Sequence, residues 1–447
     1  VKIIIMIVIV MLAGSALMAT TNHLTIYNEN FALVRNSLKL SLEKGLQSYF
    51  MDDIPYSIEA NSVIIKPTDK NFDIFSQNYE YDLADTRKIL QKYLGKEIEL
   101  VTKTDDRFSG VLQFNDSNTV GIIDSTTQQL VLIKYAEIRN INLKELPENF
   151  FLKPTLHWRL TADKAGDYPA EISYICHGIR WYVTYNTVWN ADAGKLEINS
   201  WVTINNESGK QFEDTSVKLL AGEVRKISQI VDRTRAQFLE TMDVKAPRFE
   251  EKAFHDFHLY TLSEKVSINN MQTKQIQFFP LSVVNANSRY EYVTQTRQNN
   301  VESKIVFVNS EKEGLGRPLP QGIIKVYMKD EADDSMEFIG EDRIEHTAVN
   351  EEVTISTGYA FDLIGETTMI DQRSISRTVT ERDMEIELRN RSKDDKRIIV
   401  IHNLQSPWQI FNESDKYNRV HARQIEFIVD VPAESSYTIT WTERIGS

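Results

Sequence analysis

Apolar and polar residues alternate with a period of two over most of this chain, and that period marks a strand with one buried face. In Trp181-Tyr-Val-Thr-Tyr185-Asn-Thr-Val-Trp189 the rings of Trp181, Tyr185 and Trp189 recur every fourth residue and so share one strand face. A helix needs apolar residues three and four apart, and one stretch alone supplies them clearly. Tyr81 to Leu94 sets Leu83, Ile89, Leu90 and Leu94 near one side, and Gly95 follows where a helix C-cap wants a glycine. The chain therefore has to build its core from sheets.

The alternating segments group into blocks. Leu24 to Asn28, Phe31 to Leu42, Gln47 to Met51 and Ser62 to Ile65 form a small unit. After the helix come five short pieces: Glu97 to Thr102, Arg107 to Phe114, Thr119 to Asp124, Gln129 to Lys134 and Ile138 to Leu143. From about residue 150 the strands lengthen. The expected fold is mainly β: a small N-terminal β unit, one helix plus an SH3/Sm-like five-stranded barrel, then one or two antiparallel β-sandwiches. The boundaries are 20–75, 78–146 and 150–447. A charged segment with Pro247, residues 228–252, breaks the last block and reads as a mobile loop.

Residues 1–19 have a different character. Lys2 precedes the apolar run Ile3 to Leu12, and small residues Ala13-Gly14-Ser15-Ala16 follow, which is the layout of a secretory signal peptide. The run is shorter than the roughly 20 residues of a membrane span. The expectation is a secreted or periplasmic protein, with no stable membrane span once the signal is cleaved. The formal net charge of −13 leaves little electrostatic reason to bind nucleic acid. The single cysteine, Cys176, rules out an internal disulfide and a Cys-rich metal site.

Several motifs resemble a known family. Glu171-Ile-Ser-Tyr-Ile-Cys-His-Gly-Ile-Arg-Trp181-Tyr-Val-Thr-Tyr185, Ile204-Asn-Asn-Glu-Ser-Gly209, Gly314-Leu-Gly316-Arg-Pro-Leu-Pro-Gln-Gly322, Ile339-Gly-Glu-Asp-Arg-Ile-Glu-His346 and Gly358-Tyr-Ala-Phe-Asp362 occur in order. Together they resemble the C-terminal domain of mucoidy-inhibitor (MuiA-type) proteins, a domain of unknown function in bacterial secreted proteins. The resemblance spans about Leu152 to Arg444. It brings no catalytic residues with it, and this chain has a helix and barrel where many relatives have a coiled coil. Phe108-Ser-Gly110-Val-Leu112-Gln-Phe-Asn-Asp116 resembles the first Sm motif more weakly. The Arg-Gly signature expected near Ile133 to Ile138 is missing, so RNA binding does not carry over.

Two site candidates stand out. Trp181, Tyr185 and Trp189 share one strand face about 13 Å apart; they form either a stacking platform for sugar or peptide or, more in keeping with aromatic volume, a sandwich core. His255 and His258, with Glu251 beside them, have metal-like spacing, but on a strand 255 and 258 point to opposite faces. Gly314 to Gly322 lacks the Gly-Lys-Ser/Thr ending of a phosphate loop and reads as a stiff connection. No cofactor is expected. The favoured function is a non-enzymatic β-rich scaffold that binds an envelope protein or glycan. The competing reading is a metal- or carboxylate-dependent hydrolase of envelope polymers.

Overall fold

The computed structural model describes residues 22–69, 71–81, 86–144, 151, 153–222, 249–254, 257–296, 299–330, 332–405 and 407–446, without the side chains of 86–88 and 250–254. The expected signal segment and most of the 228–252 loop lie outside the described residues; Phe249–Phe254 is a strand. Strands account for 68% of the structure and helix for 2%, so the protein is mainly β, with several sandwich-like sheets. Two compact units divide the chain: Val1–Arg180 with Asn205–Leu219 and Glu264–Thr273, and Trp181–Ile204 with Leu220–Ser263 and Lys274–Ser447.

In the first unit, Asn22–Tyr27 and Gly166–His177 flank Phe31–Leu42 as antiparallel neighbours, and Ile64–Pro67 adds to the outer edge of Gly166–His177. A three-stranded sheet places Thr155–Ala162 between Gly45–Met51 and Asp73–Glu80. Its period-two pattern buries Leu156, Trp158, Leu160 and Ala162 on one face. The Trp158 indole donates to Gln77 Oε1 at 2.7 Å, which satisfies its one polar atom. Strands after residue 150 thus complete sheets begun before residue 80. The boundary read at 150 follows a change in strand length, whereas the sheets follow long-range pairing.

The middle segment forms a five-stranded antiparallel sheet with its strands in the order fifth, first, second, third, fourth. Three of its strands, Glu97–Thr102, Thr119–Asp124 and Ile138–Leu143, have the bounds expected from alternation. Leu90 and Tyr93 close its core against Ile98, Leu100, Leu112, Val120, Ile122 and Ile133. The helix among the described residues is Thr86–Gln91, shorter than the sequence pattern, and Gly95 at φ 77° ends the turn that follows it.

The second unit is built on an extended sheet, from Met336–Ile344 through Gly322–Lys329, Ile179–Asn190, Lys195–Asn206, Gln272–Val293, Asn300–Val308, Glu352–Ser374 and Thr380–Asn390 to Ser435–Ile445 and Trp408–Phe411. Two of its pairings are parallel, Val183–Trp189 with Gly322–Met328 and Tyr290–Val293 with Ile398–Ile401. Parallel neighbours need long crossovers, so neither is legible from adjacent segments. One core gathers Tyr292, Val301, Leu388, Ile398, Val400, Phe427, Ile439 and Trp441.

Candidate binding surface

The aromatic row of Ile179–Asn190 is buried. Trp181 and Tyr185 are each 1% exposed and Trp189 5%. The Trp181 indole donates to the Leu220 carbonyl at 3.3 Å, and the Tyr185 hydroxyl to the Pro320 carbonyl at 2.8 Å. Tyr260 meets Trp181 edge-on with centroids 6.3 Å apart, and Phe279 lies beside Tyr185. These three residues fill core volume and present no ring face to a ligand, which corrects the platform reading.

His255 and the Glu251 side chain lie outside the described residues. His258 sits opposite Ala253 in the hairpin of Phe249–Phe254 and Phe257–Leu262, with its ring 6.5 Å from that of Tyr260. No group of three or more His, Cys, Asp or Glu among the described residues is arranged to hold a metal ion. Gly314 to Gly322 is structural: Gly314 and Gly316 adopt φ of 108° and 64°, and Leu315 and Leu319 are buried. Asn309 straps the loop by donating to the carbonyls of Arg317 (2.7 Å) and Ala348 (2.9 Å).

Exposed aromatic groups lie elsewhere in the second unit. Phe361 is 97% exposed, Tyr359 62% and Phe338 53%. Phe361 stands on a β-bulge. Glu302 faces Tyr359 and Asn300 faces Ile364, so Val301 alone lies opposite residues 360–363. The extra residues have to leave the sheet. Gly358, at φ 104°, precedes the bulge. Ala360 packs on the core, Leu363 is buried within it, and the Asp362 carbonyl accepts from the Arg391 amide at 2.8 Å. Phe361 is thereby held outward on a fixed backbone.

Met336–Ile344 runs alongside the same strand. Asp342 accepts from the Ser356 amide at 2.7 Å, and a Cβ on Gly340 would stand 3.0 Å from Thr357 Cα. Phe338 and Met336 lie further along the same strand and are exposed. Tyr327 supports Phe338 edge-on at 5.6 Å. Glu337, Glu341 and Asp362 are exposed there, as are Arg343 and Arg391, so charges of both signs flank these rings.

A cleft of about 400 Å³ in this unit is lined by Asn287, Arg289, Val306, Glu352 and Arg397. Arg289 holds Glu352 through two bonds of 2.9 and 3.0 Å, and Arg397 holds Asp430 through bonds of 2.7 and 3.1 Å. Both guanidiniums are already engaged by carboxylates.

Sequence pattern missed the exposed patch because Phe361 reads as one more apolar residue in an alternating strand. The usable signal was Gly358, a glycine inside a strand pattern, which often marks a bulge. No protein-family model matches the chain, and no curated protein sequence matches it.

Proposed function

We propose that this chain is an exported, non-enzymatic β scaffold that binds a protein or glycan of the bacterial envelope. Its contact surface centres on exposed Phe361 and Tyr359 of one strand. The exposure of Phe361 on a braced bulge carries this reading. A phenylalanine in water forgoes the transfer free energy that burial would return, about 2 kcal/mol, and a partner that covers it recovers that amount. The signal-like start and the motifs resembling mucoidy-inhibitor proteins support the envelope as the setting.

The test uses residues 20–447 and the variants Phe361→Ala and Tyr359→Ala. Retention is measured on an immobilised envelope protein fraction and on purified envelope polysaccharide. The expected result is retention on one of the two, reduced tenfold or more in Phe361→Ala with an unchanged melt. Equal retention by wild type and both variants would overturn the assignment of this surface.

A further inference from the structure

We infer that the chain contains two copies of one β module, each closed by the same asparagine turn. Asn206 Nδ2 donates to the carbonyls of Lys210 (2.8 Å), Ile268 (3.4 Å) and Asn269 (3.1 Å). Its Oδ1 accepts from the amide (3.1 Å) and the hydroxyl (2.7 Å) of Ser208, and that hydroxyl also lies 3.4 Å from the Lys210 carbonyl. Asn390 repeats the pattern bond for bond. Its Nδ2 donates to the carbonyls of Asp394 (2.8 Å), Val431 (3.0 Å) and Pro432 (3.1 Å). Its Oδ1 accepts from the Ser392 amide (3.0 Å) and hydroxyl (2.7 Å), and that hydroxyl reaches the Asp394 carbonyl at 3.1 Å.

A local Asn-x-Ser turn is common chemistry. The long-range partners are not a local effect. In each case the turn ends a strand, Lys195–Asn206 or Thr380–Asn390, and a new strand starts at the same offset, at Phe212 or Lys396. That new strand pairs antiparallel with the one that brings the acceptor carbonyls, Val266–Ile268 or Gln424–Val431. A non-glycine residue with positive φ follows, Met271 at 57° or Glu434 at 51°. The closing strands then begin at Gln272 and Ser435 and lie beside the strands that carry the asparagines. The register agrees as well. Gln275 bonds Thr203 across the first pair, and the equivalent positions Thr438 and Glu387 face each other across the second.

The copies differ in two ways. Ile268 follows Asn206 by 62 residues and Val431 follows Asn390 by 41, so the crossover is longer in the first copy while its end returns to the same place. The first turn also grips the N-terminal strands. Gly209 lies under the Tyr56 ring, the Tyr56 hydroxyl donates to the Glu207 carbonyl at 2.6 Å, and Lys210 donates to the Asp53 carbonyl at 2.6 Å. Lys393 and Asp394 take those two places in the second copy.

The test grafts the first turn onto the second in the full chain, as Arg391→Glu, Lys393→Gly and Asp394→Lys together. Asn206→Ala and Asn390→Ala are made singly. Amide hydrogen exchange is read at 266–272 and 424–435. The expected result is a graft whose protection stays within about threefold of wild type, while each asparagine variant loses about tenfold or more at its own acceptor strand. A graft that strips protection from 424–435, or an asparagine variant with no local effect, would overturn the equivalence.

Discussion

His402 gives its Nε2–H to the Glu443 carboxylate at 2.7 Å, and both side chains are shut off from water. The other ring nitrogen lies 2.7 Å from Thr294 Oγ1 and 2.9 Å from Gln295 Nε2. The Gln295 amide is oriented by Asn403, whose carbonyl accepts from Nε2 and whose amide donates to Oε1. Only protons of Gln295 therefore face Nδ1, so Nδ1 accepts and the proton sits on Nε2. Arg382, 3.5 Å from the other Glu443 oxygen, is the charged partner of the carboxylate.

Removal of this acceptor should be costly. Glu443→Ala leaves a buried imidazole N–H unpaired and is expected to lose about 2–4 kcal/mol in urea unfolding. Glu443→Gln keeps an acceptor and should lose less than half of that. Equal losses would show that charge, and not the hydrogen bond, is what matters.

Burial pushes the Lys210 ammonium below the usual lysine range, against the pull of Asp53. The charged form is thus disfavoured by folding. The penalty is present at neutral pH and fades as pH rises through the lowered folded pKa toward the unfolded value of about 10.4. Asp53 is itself largely exposed, so it keeps its hydration if the lysine is lost. Lys210→Met should therefore match or exceed wild type by up to about 1 kcal/mol at pH 7, an advantage that shrinks toward pH 10. Asp53→Asn should lose about 1–2 kcal/mol at pH 7. Melts of the two variants from pH 7 to 10 check both signs.

The Cys176 thiol is buried and pushed up to about 12, chiefly by desolvation. The thiolate is the reactive form. At pH 8 the native protein should show almost no labelling by a thiol reagent over an hour, and one thiol per chain in urea. Rapid native labelling would mean that the strand Gly166–His177 opens readily.

A methyl group on Gly209 would collide with the Tyr56 ring, on a backbone at φ 87°. Gly209→Ala should cost about 2–3 kcal/mol, from both the clash and the strain. Tyr56→Ala added to it should relieve the clash and leave the strain, so the double variant is expected to fall short of additivity by about 1 kcal/mol or more. Full additivity would mean that the ring does not hold the turn.

The local part of this fold was legible in the sequence. Alternation located the five strands between residues 97 and 143, and Gly95 marked the end of the helical turn, because side-chain direction along a strand and positive φ at a cap are properties of neighbouring residues. The same alternation identified the face that carries Trp181, Tyr185 and Trp189. It could not say whether that face meets a sheet or a ligand, and burial by Tyr260, Phe279 and Pro320 is what decides it. The acceptors of Asn206 and Asn390 lie 62 and 41 residues away, and only the assembled module shows that Val202-Thr-Ile-Asn-Asn206-Glu-Ser208 and Ile386-Glu-Leu-Arg-Asn390-Arg-Ser392 are versions of one device.

The sequence by itself determined that this chain folds into sheets, where the five short strands of the middle segment lie to within a residue, and that its one thiol has no second cysteine in the chain to cross-link. Tertiary structure alone decided that strands beyond residue 150 complete the N-terminal sheets, that Phe361 faces outward where a bulge displaces it, and that His402 meets Glu443. The period of a strand is set by the chirality and sterics of adjacent residues. The choice of partner depends on which distant surfaces fill each other's volume and satisfy each other's polar groups, and no local pattern carries that information.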